Sequence, residues 1–288
     1  MMKGIVISSR YGVFEVDTAS TILEVKARGI FRHQKKKIIV GDYVTVDEET
    51  LTIVEVEDRK NELIRPAIAN VDRAYVVMSY IEPDFSPYLV MKFFTYLNYH
   101  QITPSLIVTK MDRCQKKEAM EKWKDLLKSL GYSTFFLSTK QEEDIQALKE
   151  DIQGKTCLFL GQSGVGKSSL LNTIFPKWDL KIGSYSSSLG RGRHQTKEVL
   201  LLPYEGGYLA DTPGFSSLEL ELTMQEIQEN FPGFKPYIGH CFFKDCIHVH
   251  EKKCALKEAV EKEQYPQVLY DLYLELTKEI TEDRRKLR

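Results

Sequence analysis

The 288-residue sequence has no apolar run near the roughly 18 residues that a membrane-spanning helix needs. Its start, Met1-Met2-Lys3 followed by the alternating Ile5, Ile7, Val13 and Val16, lacks the long apolar stretch and cleavage site of a signal peptide and reads as strand. Five cysteines is an odd number without framework spacing, so a disulfide scaffold is not expected. Net charge is also missing. Lys and Arg total 40 against 41 Asp and Glu, so attraction to nucleic acid or membrane has to come from local patches. No internal repeat is present. These absences point to a cytoplasmic protein without a membrane role. At 42% hydrophobic residues, it has enough apolar surface for a real core.

What is there falls into three regions. Residues 1–64 read as short strands at 4–8, 12–16, 21–27, 43–47 and 52–56, with Gly41 and Asp42 turning the chain into the fourth. Five evenly spaced, β-branched strands fit an OB-fold barrel. A basic stretch between them, Lys26, Arg28, Arg32, His33, Lys35, Lys36 and Lys37, suits RNA phosphates. Residues 65–220 alternate strand and helix, the pattern of an α/β domain on a mostly parallel sheet. Residues 221–288 turn helical and charged. They end on Leu269, Leu272, Leu276 and Ile280 at helical spacing, with a second basic patch at Arg284, Arg285, Lys286 and Arg288.

Gly161, Gln162, Ser163, Gly164, Val165, Gly166, Lys167 and Ser168 fit G-x-x-x-x-G-K-[ST] at every fixed position, with an apolar strand before and a helix, continuing through Ser169, after. The glycines let successive N–H groups converge on phosphate oxygens, and the helix N-terminus adds partial positive charge. Lys167 is expected on the β- and γ-phosphates and Ser168 on Mg²⁺.

The base is indicated further upstream. Thr109, Lys110, Met111 and Asp112 resemble the Asn-Lys-x-Asp guanine motif, at the end of a strand where α/β folds place ligand loops. The Asp112 carboxylate can accept from guanine N1–H and the exocyclic amine, a pair that adenine lacks. Lys110 is expected to lay its stem across the base. Ser138, Thr139 and Lys140 resemble the Ser-Ala-Lys base loop. Thr109 stands where Asn is usual, which is expected to weaken the bracing of the base loops. Downstream, Asp211 and Gly214 bound a D-x-x-G match. Asp211 is expected to hold Mg²⁺ through water and the Gly214 N–H to sense the γ-phosphate. Thr196 is the switch threonine of the intervening loop and a second Mg²⁺ ligand. The order is therefore base motif, base loop, P-loop, switch I, D-x-x-G: that of a circularly permuted GTPase domain. Phe215 follows Gly214 where Ras-like enzymes carry a water-orienting Gln. An apolar side chain cannot orient water, which leaves His194 as the candidate, set against a plain loop histidine.

Cys241, Cys246, His248 and Cys254 put three thiols and an imidazole within 14 residues, which suits a closed structural zinc site. His240 and His250 remain alternatives to His248. Zinc is expected to order a segment with little apolar core of its own. Cys157 reads as core packing.

Together these motifs make the chain resemble the ribosome small-subunit-dependent GTPase A family along essentially its whole length. The resemblance implies an N-terminal OB-fold, a permuted GTPase domain and a C-terminal zinc-binding domain. It further implies slow GTP hydrolysis stimulated by the 30S subunit, late small-subunit maturation and contact with 16S rRNA. Nothing in the sequence demands a dimer or a DNA partner. Two other readings remain: a non-enzymatic GTP-sensing RNA-binding adaptor, and an adenine-specific P-loop enzyme.

Overall fold

The computed structural model describes residues 1–29, 31, 37–138, 142–175, 199–211 and 218–286. Strands β1 (Met2–Arg10), β2 (Val13–Asp17), β3 (Ile22–Ala27), β4 (Tyr43–Asp47) and β5 (Thr52–Val56) close into a barrel in the order β1-β2-β3-β5-β4. Only β3 and β5 pair in parallel, and β1 closes the barrel on β4, an OB-like arrangement. The alternation of the strands explains the closure. Val6, Val16, Val25, Val44, Val46 and Ile53 all turn inward and are buried. β1 is buried on both faces, because Ile5 and Ile7 point the other way into the core of the following domain.

A short hairpin, β6 (Glu62–Leu63) with β7 (Ile68–Ala69), joins barrel to sheet; two-residue strands leave no periodicity to read. Gly41 is pressed against it. Its φ is +90°, and a Cβ there would lie 2.1 Å from the Ala69 carbonyl oxygen. The fully buried Asp42 beside it accepts from Arg59 Nε at 2.7 Å and Nη2 at 2.9 Å. The pair Gly41–Asp42, expected as a simple turn, is thus part of the joint.

The second sheet runs β10 (Thr134–Phe136), β9 (Thr103–Thr109), β8 (Arg73–Ser79), β11 (Thr156–Leu160), β13 (Gly207–Asp211), β12 (Leu200–Tyr204). All neighbours are parallel except the edge strand β12. Both faces are covered, so the strands read as unbroken apolar runs. Ala74, Val76 and Met78 face one core cluster, while Tyr75 and Val77 face another. From β8 the chain moves to β9 and β10 on one side, then returns to β11 on the other. The loops after β8, β9 and β11 therefore leave the same edge around a topological switch point.

Helix α1 (Pro87–Tyr99) starts cleanly, with Pro87 in its first turn and Ser86 Oγ accepting from Leu89 N–H. Residues 90–97 are all buried, because α1 lies between the sheet and the C-terminal helices. Helices α2 (Lys117–Ser129), α3 (Glu142–Ile152) and α4 (Lys167–Ile174) follow their strands. The C-terminal part holds α5 (Met224–Asn230), α6 (Ala255–Glu261) and α7 (Gln267–Lys286). Leu269, Leu276 and Ile280 of α7 are buried as their spacing predicts, but the largest buried side chain there is Tyr273, which packs with Phe231 and Phe234. These rings are continuous with the main cluster, so the helices flanking the Cys/His segment rest on an apolar core. Where α1 meets α7, Lys92 Nζ donates to Glu279 Oε1 at 2.6 Å and Tyr88 hydrogen-bonds the same carboxylate. No helix among the described residues is long and apolar enough to cross a membrane.

At the edge of the sheet away from the loops, Asp151 accepts from Arg73 Nη1 at 2.7 and 2.8 Å and from the Tyr75 hydroxyl at 2.5 Å. Burial pushes the Asp151 carboxyl up, but the Tyr75 hydroxyl, Arg73 and Lys155 outweigh it and hold the acid below its ordinary value. A lowered carboxylate contributes stability above its unfolded value and loses it as the pH falls through the folded one. Asp151→Asn is expected to cost about 1–3 kcal/mol at neutral pH. In urea titrations it should also flatten the loss of stability seen on acidifying the wild type below about pH 5.

Candidate nucleotide site and metal centre

The loop after β11 is built by glycine. Gly161 passes so close to β8 that a Cβ would lie 2.3 Å from the Val77 carbonyl oxygen. Gly164 and Gly166 have φ of +81° and +89°, and Gly166 caps the N-terminus of α4. Val165 is buried as the anchor of the loop, while Gln162, Ser163 and Ser168 stand toward solvent and Lys167 opens the helix. This is the geometry that presents consecutive N–H groups to an anion.

β9 delivers Thr109 to the same place. Its hydroxyl donates to the Val165 carbonyl at 2.5 Å and lies 3.3 Å from that of Met78, so this threonine ties the glycine loop to two strands. Lys110, in the left-handed region at φ 59°, donates from Nζ to Gly164 O at 3.0 Å and Ile81 O at 3.1 Å, and also to Glu82 O. Met111 N–H donates to Leu137 O at 3.2 Å, fastening the base motif to the end of β10. Asp112 projects into a cleft of about 310 Å³ that it shares with Lys110, Ser138, Gly166, Ser169 and Leu170. Leu137 and Ile145 add apolar wall. The space is mostly apolar with a few converging polar groups, as a purine site requires.

Sequence reasoning missed Ile145 and Thr173 in this wall, and the turn at 80–85. Isolated apolar or hydroxyl residues on helices carry no motif. The turn has a readable role only once Lys110 is seen against it. Asp211 ends β13, whose Ala210 is in register with Leu158 of β11, so the D-x-x-G segment departs beside the glycine loop. Thr139, Lys140, His194, Thr196, Gly214 and Phe215 lie outside the described residues, as do Arg32, His33, Lys35, Lys36 and Arg288.

The second site gathers Cys241, Cys246, His248 and Cys254, whose ligand atoms lie within 4.8 Å of one another. His248 Nδ1 is 3.4, 3.5 and 3.2 Å from the sulfurs of Cys241, Cys246 and Cys254, and Cys241 and Cys254 are 3.8 Å apart. A tetrahedron with ordinary Zn–S and Zn–N bonds has edges of about 3.8 and 3.6 Å, so the donors fit a closed zinc site. Burial, reinforced by the neighbouring Cys241 and Cys254 sulfurs, pushes the Cys246 thiol up to about 12, and burial lowers His248; a dication among the sulfurs would reverse the first effect. His240 and His250 are both exposed, and the geometry selects His248. The loop is held from behind: Tyr270 and Tyr273 of α7 donate to the carbonyls of His248 at 2.8 Å and Ile247 at 2.6 Å. Cys157 is buried in β11, as expected of core packing.

Residues 56–221 match a family described as RsgA GTPase, and residues 3–53 its N-terminal domain. The chain is 39% identical to the small ribosomal subunit biogenesis GTPase RsgA of Bacillus cereus, over 98% of each chain. It is 38% identical to the protein of that name from Bacillus subtilis, over 99% of each. Among solved structures it is similar to YloQ, described as a circularly permuted GTPase, with a TM-score of 0.82 at 35% identity, covering 98% of this chain and 96% of the other. YjeQ from Thermotoga maritima gives 0.82 at 32% identity, over 97% and 98%.

Two outcomes are expected from this geometry. Thr109→Val keeps the shape but removes the donor to Val165. It should lower GDP affinity roughly five- to tenfold, measured by fluorescent-nucleotide titration, with a stability loss of only about 1 kcal/mol. Cys246→Ser should reduce bound zinc well below one per chain by elemental analysis and open the C-terminal segment to limited proteolysis.

Proposed function

This chain belongs to the RsgA GTPase family, and from that premise we propose that it uses GTP in the late assembly of the small ribosomal subunit, turning over slowly until the 30S particle stimulates it. Family membership makes it a GTP hydrolase working with Mg²⁺. The observation that carries the reading further is the junction of the Asp112 loop with the glycine loop in one cleft. It supplies a guanine-reading carboxylate and a phosphate cradle despite their reversed order in the chain.

In this reading Asp112 accepts from guanine N1–H and the amine, and Lys110 covers the base with Met111 and Ser138 behind it. Ser138, Thr139 and Lys140 form the second base loop. The N–H groups from Gly161 to Ser169 and the Lys167 ammonium hold the phosphates. Ser168 and Thr196 would supply hydroxyl ligands to Mg²⁺, with Asp211 acting through water, and the ion would supply charge neutralisation at the phosphates. Water attacks the γ-phosphorus, the bond to the β–γ bridging oxygen breaks, and GDP and inorganic phosphate leave. Gly214 N–H reports the loss. Because Phe215 cannot orient that water, His194 is the group assigned to it, and a bound partner brings it into place.

The units proposed are an OB-fold RNA-binding domain at 1–64, the permuted GTPase domain at 65–220 and a zinc-binding helical domain at 221–288. The basic residues between β3 and β4 and those ending α7 are assigned to 16S rRNA phosphates. The protein is read as a cytoplasmic monomer without membrane or DNA partners. GTP turnover measured with and without purified 30S subunits tests the proposal. Stimulation on the order of tenfold or more is expected, weakening as salt rises. Equal turnover with and without 30S at every salt concentration removes the assembly role.

A further inference from the structure

A contiguous exposed apolar patch rimmed by polar residues marks an interaction site. Phe242 and Phe243 are adjacent and exposed by 68% and 45%, on the loop between Cys241 and Cys246. That loop is tied down at several points. The Cys/His cluster holds its ends, Phe242 N–H donates to Lys253 O at 3.2 Å, and Tyr270 and Tyr273 fasten the far side to α7. The two rings are therefore presented by a rigid support and cannot fold back into the core.

The surroundings are cationic. Lys253 Nζ sits 4.7 Å from the Phe242 ring centroid, and Lys244 and Lys252 are exposed beside it. The nearby Glu251 carboxylate is turned inward, accepting from the N–H groups of Ile247, Val249 and His250, which leaves Asp245 as the exposed acid of the loop. Aromatic faces flanked by ammonium groups complement a partner that carries flat rings on an anionic backbone. An apolar protein groove would not call for the lysines, and duplex RNA hides its base faces.

We propose that Phe242 and Phe243 form a stacking site for one unpaired RNA base, with Lys244, Lys252 and Lys253 on the flanking phosphates. The number follows from geometry. The rings meet at 84° with centroids 5.0 Å apart, so a base lying flat on one presents its edge to the other, and two stacked bases cannot both be served. The inference rests on the RNA-directed reading above and adds an aromatic platform that the basic stretches do not supply.

Binding of the full-length, zinc-loaded, GDP-bound protein to a labelled 12-nucleotide uridine RNA, whose bases stack little on one another, and to a duplex of equal length, tests it. The double variant F242A/F243A is expected to lose roughly tenfold or more of its single-strand affinity, the loss of one stacked base, with duplex affinity and the salt slope unchanged. F242W/F243W should retain binding. K252A/K253A should instead reduce the salt slope, by about 0.7 for each phosphate that is no longer neutralised. Zinc content and GDP affinity serve as folding controls. If wild-type protein binds no RNA, the RNA reading itself fails. If wild type binds and F242A/F243A binds equally well, only the stacking site is overturned. If RNA binding is unchanged but association with 30S subunits is lost, the rings dock on protein and the assignment to a base is wrong.

Discussion

One ammonium group gathers three carbonyls from two separate segments. Lys110 reaches the glycine loop at Gly164, the turn after β8 at Ile81 and Glu82, and carries the base motif itself. A charged group in a partly buried place needs acceptors with good geometry, and here those acceptors define the cleft. Thr109, one residue earlier, repeats the logic with a hydroxyl on Val165. The base loop and phosphate loop are thus held at a fixed separation by side chains of the base motif, before any nucleotide contributes.

This arrangement explains why chain order can be rearranged without loss of the site. What the chemistry requires is that β9 and β11 flank β8 in parallel, so that their C-terminal loops share an edge. Which of the two comes first is immaterial to the ladder. The rearrangement does change what is covalently attached. Leu218 and Leu222, just beyond the D-x-x-G segment, are buried in the main core with α5 and α7. The conformation of that segment and the packing of the C-terminal helices are therefore joined through a very short piece of chain.

The glycine loop, base motif and Cys/His set were readable because each imposes residue types at fixed spacing: glycine where a Cβ would meet Val77 O, an acid where guanine offers two donors, soft ligands where a tetrahedron must close. The barrel was legible through strict alternation, and β4 and β5 fall where the pattern put them. What stayed hidden depends on partners far along the chain. The Thr109 hydroxyl has no readable partner until Val165, 56 residues later, is seen accepting from it. The aromatic core of the C-terminal part escaped because Phe231, Phe234, Tyr265 and Tyr273 share no period, coming from a loop, a helix and the turn between helices. In helix α1, Lys92 is buried because Glu279, far along the chain, accepts from its ammonium.

The main core cluster runs from Ile5 to Ile280, nearly the entire length of the chain. During synthesis, then, the apolar face of α1 that α7 covers has nothing to rest on until the last helix clears the exit tunnel. The nascent protein carries an open seam that local packing cannot close, since a core of such high sequence separation condenses late. A chain cut short before α7 would expose Phe231, Phe234 and the outer side of α1 together. Such a truncated product is a natural target for chaperones and proteases. Synthesis through α7 becomes the checkpoint for a sealed core.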